Sequence, residues 1–212
     1  TDLSAPIGGG TTPVSGFTIA AASVNLFVGS GGPYFVDSNN DGTINGSDTP
    51  DSGAVGFAAS DVNFGLLWAA PNDSADGNRY FAVKATAGSA SLVGLGSDFV
   101  VSLNGLTLEI NRAAASDGSA TTAIDFTALS GGNYGIDAGS ETLTLNYSST
   151  IRSASVSQAV VQIGQFVSFE GGLGLEKTSA ATITLSDDST KSAERLVLSM
   201  ASARAFVGVD GP

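Results

Sequence analysis

The 212 residues contain no cysteine and no histidine, and only one methionine and one tryptophan. The first two absences exclude disulfides, thiolate or imidazole zinc sites, cysteine nucleophiles and any histidine-based triad within this chain. Positive charge is scarce as well: 8 Lys+Arg stand against 20 Asp+Glu, for a net charge of −12. Nucleic-acid grooves and anionic membrane surfaces both need clustered cations, so neither is a partner that the composition supports. Long hydrophobic runs are missing too. The charge-free stretch 3–36 is broken by glycines and prolines, which leaves 17–28 as its continuous run. Twelve residues are too few to span a bilayer as a helix. Residues 1–16 lack a basic region followed by an apolar one, so they do not read as an intact signal peptide; either one was removed or the sequence is an internal fragment.

What is present is small and moderately apolar. Gly contributes 28 residues, charged residues make up 13 %, and the mean hydropathy is +0.21. That is too apolar for a disordered chain, and a chain of this length buries about 70 % of its unfolded surface on folding. Absent cysteine and abundant small residues suit a secreted bacterial protein that does without disulfides.

The periodicity is that of sheet. Apolar and polar residues alternate over 142–147 and 181–186. Further strand candidates are 17–28, 62–69, 79–87, 90–95, 123–128, 155–163, 166–177 and 195–207, while 61–68 and 154–161 could also form short helices. A two-residue turn at Asn104-Gly105 would place Phe99, Val101, Leu103, Leu106, Leu108 and Ile110 on one face, so a hairpin is favoured there over a continuous strand bulged at Gly105. The expected fold is all-β, an elongated antiparallel β-sandwich-like module, with a β-solenoid-like stack of hairpins as the alternative. Residues 1–15 read as a flexible or extended lead-in and 16–212 as a single β domain.

The chain repeats its beginning near its end. Residues 23–33 (SVNLFVGSGGP) and 202–212 (SARAFVGVDGP) share six of eleven positions, at the offset of 179 that separates Phe27 from Phe206. Residues 17–33 and 196–212 then read as equivalent strands of a tandem repeat of that period, with chance similarity between Gly-rich strand ends as the alternative.

One motif carries chemistry. Residues 37–48 (DSNNDGTINGSD) fit a twelve-position calcium loop: Asp37, Asn39 and Asp41 at positions 1, 3 and 5, Gly42 at the turn, Thr43 offering its carbonyl, Asn45 reaching the ion directly or through water, and Asp48 at position 12. Ca²⁺ takes six to eight oxygens, and alternate residues of a tight loop converge theirs on one point. The flanks are not helical, so the loop would lie between β elements. Asp48 is shorter than the glutamate usual at that position. Weaker candidates are the acids Glu109, Glu170 and Glu176, the turns 72–78 and 186–190, and a sugar-stacking platform of Trp68, Tyr34 and Tyr80.

The sequence resembles the repeat units of giant tandem-repeat exoproteins of Gram-negative bacteria of the LEPR-XLL type. The matching pieces are the FVGxxGP turns at Phe27 and Phe206, AVG at 54–56, AVKA at 82–85, LVGL at 92–95, LTLEIN at 106–111, IDF at 124–126, FEGGLGLEK at 169–177 and TITLSD at 182–187, covering most of 17–212. The LEPR-XLL segment itself is absent, as an internal module requires. The resemblance implies an extracellular or cell-surface location, a repetitive structural or adhesive role, neighbouring copies of the module as partners, and no enzyme. The expected function is therefore a calcium-stiffened module of a long surface protein. The alternatives are a filament subunit assembled by strand exchange and a secreted carbohydrate-binding domain that meets a surface or matrix glycan.

Overall fold

A computed structural model describes residues 2–178 and 180–209, with the backbone alone for Ala181. The strands are β1 (Asp2–Ile7), β2 (Gly10–Ser30), β3 (Val55–Pro71), β4 (Arg79–Val93), β5 (Phe99–Ala114), β6 (Ala120–Thr121), β7 (Tyr134–Asp137), β8 (Thr142–Leu145), β9 (Ile151–Ile163), β10 (Val167–Thr178), β11 (Ala181–Thr184), β12 (Thr190–Ala193) and β13 (Leu196–Val207). Among the described residues the single helical element is the 3-10 turn Phe126–Ala128. Eight strands form one antiparallel sheet in the order β1-β2-β3-β4-β5-β9-β10-β13, with β6 beside β5, and the sheet does not close into a barrel. Two small hairpins, β7-β8 and β11-β12, stand apart from it.

The architecture is all-β and antiparallel, and its sandwich-like packing is confined to one end. There Leu67, Ala69, Tyr80, Ala82 and Ala113 of the sheet pack against Ile124, Phe126, Ile136, Leu143, Leu145 and Tyr147. Gly65 permits this approach, since a Cβ there would lie 2.8 Å from the Leu143 Cβ. The polar groups under this lid are satisfied: buried Asn111 donates to the carbonyls of Ile124 (2.8 Å) and Ser149 (2.9 Å), and Tyr147 Oη donates to the Val83 carbonyl. Burial raises the Tyr147 pKa well above its usual value, and the nearby Glu109 charge raises it further.

Four readings left open or made from local pattern are decided by the pairing. Residues 2–15 are extended and held in the sheet: β1 pairs with the start of β2, and Ala5 and Val14 are 0 % and 1 % exposed in the core. Residues 61–68 and 154–161 are strand throughout. Segment 123–128 is not a strand, because Asp125 turns the chain by accepting the Thr127 and Ala128 N–H groups, which opens the 3-10 turn. Residues 98–111 form no hairpin. β5 runs straight through Gly105, which takes φ +64 with β4 on one side and β9 on the other.

Gly105 belongs to a row that crosses the whole sheet. Ser23 (φ 54), Asp61 (φ 53), Gly88, Gly105, Ser157 and Ser202 (φ 50) lie at successive positions on β2, β3, β4, β5, β9 and β13. Each of these strands shifts its apolar alternation by one residue at the row, as 99, 101, 103 followed by 106, 108, 110 shows in β5. β10 carries no extra residue, and its register accordingly steps by one against both β9 and β13 at Gly171/Gly172. Val161 and Val156 pair with Phe169 and Leu173, which lie on the same side of β10, so one sheet face is apolar on both sides of the row. That face is opposite the lid. Among the described residues nothing covers it, and Phe17, Ile19, Leu108, Leu175, Leu198 and Met200 are exposed on it. Phe17 stacks on Trp68 there at 5.6 Å, and Arg112 lies over Phe81.

The two faces should respond differently to truncation. Leu67→Ala, under the lid, lowers stability in urea unfolding by about 2–5 kcal/mol, whereas Leu108→Ala, on the open face, costs less than about 1 kcal/mol; equal losses would mean that the open face is covered in solution.

Candidate metal centre

The 37–48 loop joins β2 to β3, and aromatic contacts fix its entry: Tyr34 stacks on Phe27 at 5.8 Å and meets Phe35 edge-on at 4.9 Å. The Asp51 N–H donates to the Tyr34 carbonyl, which closes the base. Phe35, Ile44 and Pro50 then line a cavity together with Asn25, Ser60 and Asp61, beside the irregular row of the sheet.

Inside the loop the six proposed ligand positions form one hydrogen-bonded ring. Asp37 accepts from the N–H groups of Asp41 (3.0 Å) and Gly42 (2.8 Å), and the chain then turns at Gly42 with φ +85. Asn39 Oδ1 accepts from the Asp41 N–H, and Asn39 Nδ2 donates to Asp41 Oδ2 at 3.0 Å. Asp41 Oδ1 accepts from the Thr43 N–H, the Thr43 carbonyl accepts from Asn45 Nδ2, and Asn45 Oδ1 accepts from the Ser47 N–H. Asp48 closes the ring: one oxygen accepts from Ser38 N–H (2.9 Å), Ser38 Oγ and Asn39 N–H, the other from Asn45 N–H (2.8 Å). The short arm of Asp48 therefore suffices to reach both ends of the loop. The Asn45 N–H, followed by those of Asn39 and Ser38, holds its carboxyl below the usual carboxylate range, against a smaller opposing effect of desolvation.

The chemistry of this ring suits a hard cation. All six residues offer oxygen, and an ionised carboxylate has about four lone-pair sites, of which Asp37 and Asp41 each use two here, while the four donors to Asp48 occupy its own. Their convergence is incomplete, however: among the described residues no group of three or more Asp or Glu side chains is gathered closely enough to hold an ion as it stands. Binding requires Asn39 and Asp41 to turn from each other toward the ion.

The other sequence candidates are dispersed. Glu109 pairs with Lys84 at 3.5 Å, Glu170 accepts from Gln158 at 2.9 Å, and Glu176 lies on β10. The stacking platform does not form: Tyr80 is buried under the lid beside Ala69, Trp68 lies on the opposite face, and Tyr34 belongs to the loop. Turns 72–78 and 186–190 are hairpin tips. Sequence reading missed one cluster. Arg112, Arg152 and Lys177 line a groove with Asp125 and Glu194, brought together by the Arg152–Lys177 register and the Lys177–Glu194 ion pair at 2.6 Å. Nothing local in the sequence signals it. No family model, no curated protein and no solved structure matches the chain.

Because the folded Asp48 carboxyl titrates below its unfolded value, its contribution is present above the ordinary carboxylate range and is lost as pH falls through the folded pKa. The Ser38 and Asn45 amide resonances should hold their positions through that range and shift only below it. Asp48→Asn should abolish this acid step; an unchanged profile would mean that other groups close the loop.

Proposed function

We propose that the chain is a structural module of a repetitive extracellular bacterial protein, and that Ca²⁺ bound in the 37–48 loop stiffens it. The observation that carries the reading is the loop itself: its six oxygen-bearing residues stand at the spacing that a calcium loop needs, and Asp37, Asp41 and Asp48 are each held within the loop by its backbone N–H groups. An ion would replace the Asn39–Asp41 contact and leave those backbone bonds in place. The loop joins β2 to β3 and is anchored on β2 by the Tyr34–Phe27 stack, so ordering it stiffens the edge of the sheet where the module begins.

Composition supports the setting. A net charge of −12 keeps neighbouring copies from sticking to one another, and a sheet without cysteine needs no oxidising machinery. Calcium loops of extracellular modules often bind at about 10⁻⁴ to 10⁻³ M, so such a module stays pliant where Ca²⁺ is low and tightens after export. The proposed role is mechanical: Glu109, Glu170 and Glu176 lie apart, each on a different contact or strand, and in the groove Lys177 is paired with Glu194. A second reading, a filament subunit assembled by strand exchange, draws support from β13, a long sheet-edge strand that is exposed along nearly its whole length.

A thermal melt in EGTA and across a Ca²⁺ series to about 10 mM, with Mg²⁺ as control, tests the ion. The melting temperature should climb with Ca²⁺ alone, by the equivalent of about 2.7 kcal/mol at a hundredfold excess over Kd. Asp41→Asn keeps the acceptor for the Thr43 N–H but removes a charge, so it should lose most of the Ca²⁺ response while melting normally in EGTA. A flat wild-type response would reduce the loop to an acidic turn.

A further inference from the structure

The last three strands duplicate the first two. We infer that β11, β12 and β13 are the opening hairpin and first long strand of a following copy of the module, so that β13 serves as the last strand of one copy and the first of the next. The inference rests on the repeat-module reading proposed above and names the partner: the β3 strand of a second copy in the same chain.

Four independent features of β13 match β2 at the offset of 179 residues. The first is direction. All neighbours in the order β2-β3-β4-β5-β9-β10-β13 are antiparallel, so β2 and β13, six steps apart, run the same way. The second is the position of the extra residue: Ser23 and Ser202 both take positive φ, 54° and 50°. The third is the face. Leu196, Leu198 and Met200 lie on the open apolar face through their pairing with Lys177, Leu175 and Leu173, as their counterparts Phe17, Ile19 and Ala21 do through Trp68, Leu66 and Phe64.

The fourth is hydrogen-bond phase, and it decides which edge is free. In β2 the Pro13 carbonyl accepts from the Asn72 N–H, so 13, 15, 17, 19 and 21 turn their backbone groups toward β3. In β13 the Arg195 carbonyl accepts from the Thr178 N–H, so 195, 197, 199 and 201 turn toward β10, and 196, 198 and 200 turn outward. The outward residues 196, 198 and 200 are the counterparts of 17, 19 and 21. The free edge of β13 thus presents the groups that β3 satisfies in β2. The last three residues of the aligned segment, 210–212, lie outside the described residues.

The hairpin before it agrees once its turn at 186–188 is allowed one residue more than the turn at 8–9, which puts β11 at an offset of 178 from β1. β11-β12 precedes β13 as β1 and the start of β2 precede residues 17–30, with Ala181 opposite Ala193 where Leu3 is opposite Val14. By this register Ile183 and Leu185 correspond to Ala5 and Ile7. Ala5 is fully buried and Ile7 packs on the core, whereas Ile183 and Leu185 are 45 % and 38 % exposed. The hairpin has the inward side chains of β1 without a core to receive them. A second copy would supply that core.

The test is a two-copy chain in which residue 212 is followed directly by residues 34–212, read by amide hydrogen exchange. In the single chain the amides of Leu196, Leu198 and Met200 exchange fast; in the two-copy chain their first-copy counterparts should be protected by about 100-fold or more. Leu198→Pro removes an outward N–H alone. It should leave the single chain's melt unchanged and strip the protection from the second copy, while Val197→Pro, whose N–H faces β10, should weaken both chains. Fast exchange at all three amides in the two-copy chain overturns the inference, as does a second copy that stays unfolded, because β11, β12 and β13 are then no substitute for β1 and β2. Failure of Ca²⁺ to raise the melting temperature overturns the ion and leaves the shared strand standing.

Discussion

The backbone ladder of one open sheet is the constraint on which the rest of this structure depends. In an antiparallel sheet each residue of a strand faces a residue of its neighbour, so an added residue must be matched next door or the register slips. Six strands here accept the extra residue at one level, and the strand without it steps against both partners. The positive φ angles at Ser23, Asp61 and Ser202 follow from that demand, since a non-glycine residue rarely adopts them unaided. What the row preserves is the sidedness of the sheet. Without it the apolar set of every strand would change faces halfway along, and neither the lid nor the loop would meet the residues it packs on.

The same constraint explains which parts of the fold were legible in the sequence. Strands 17–28, 155–163, 166–177 and 195–207 were readable because alternation is local, and their structural bounds differ by a few residues. Gly105 was misread for an instructive reason. A tight turn and an in-strand irregularity both need positive φ and both keep Leu103 and Leu106 on one face. Only the pairing of β5 with β4 and β9 separates the two, and that information lies at Ser89 and Gln158 rather than near Gly105. β1 was hidden by its Gly- and Pro-rich surroundings, and its burial is decided by Phe126 and Leu67. The positions of the loop ring were legible because the spacing of 37–48 is itself the geometry, whereas Arg112, Arg152 and Lys177 meet only through register.

Loop and sheet are coupled through few residues. Phe27 carries Tyr34, Tyr34 carries Phe35, and Phe35 shares a cavity with Ser60 and Asp61 at the irregular row. The loop's own closure is polar and exposed, so in water each of its hydrogen bonds contributes little net stability. A cation bound as proposed would change that balance, because it would bind the closed ring and have no comparable site in the unfolded chain. The acidic loop would then be a place where ion concentration acts on the edge of the sheet.

An open sheet with a bare apolar face and long edges invites aggregation, and isolated domains blunt such edges with charge, proline or cover. β13 has little such protection: apart from Arg204, its Leu196–Val207 span is uncharged. Its outward N–H and C=O groups match in phase those that β2 gives to β3. A strand shared between copies removes this liability at every junction at once, because the edge that would aggregate in a lone domain becomes an interior strand of the next. Stability is then nearest-neighbour in character, each copy completed by the one before it, and only the two ends of an array need capping. The acidity of the chain acts at the same level: with the edges consumed along the array, the repulsion between acidic surfaces disfavours lateral association of separate arrays through the faces that stay open.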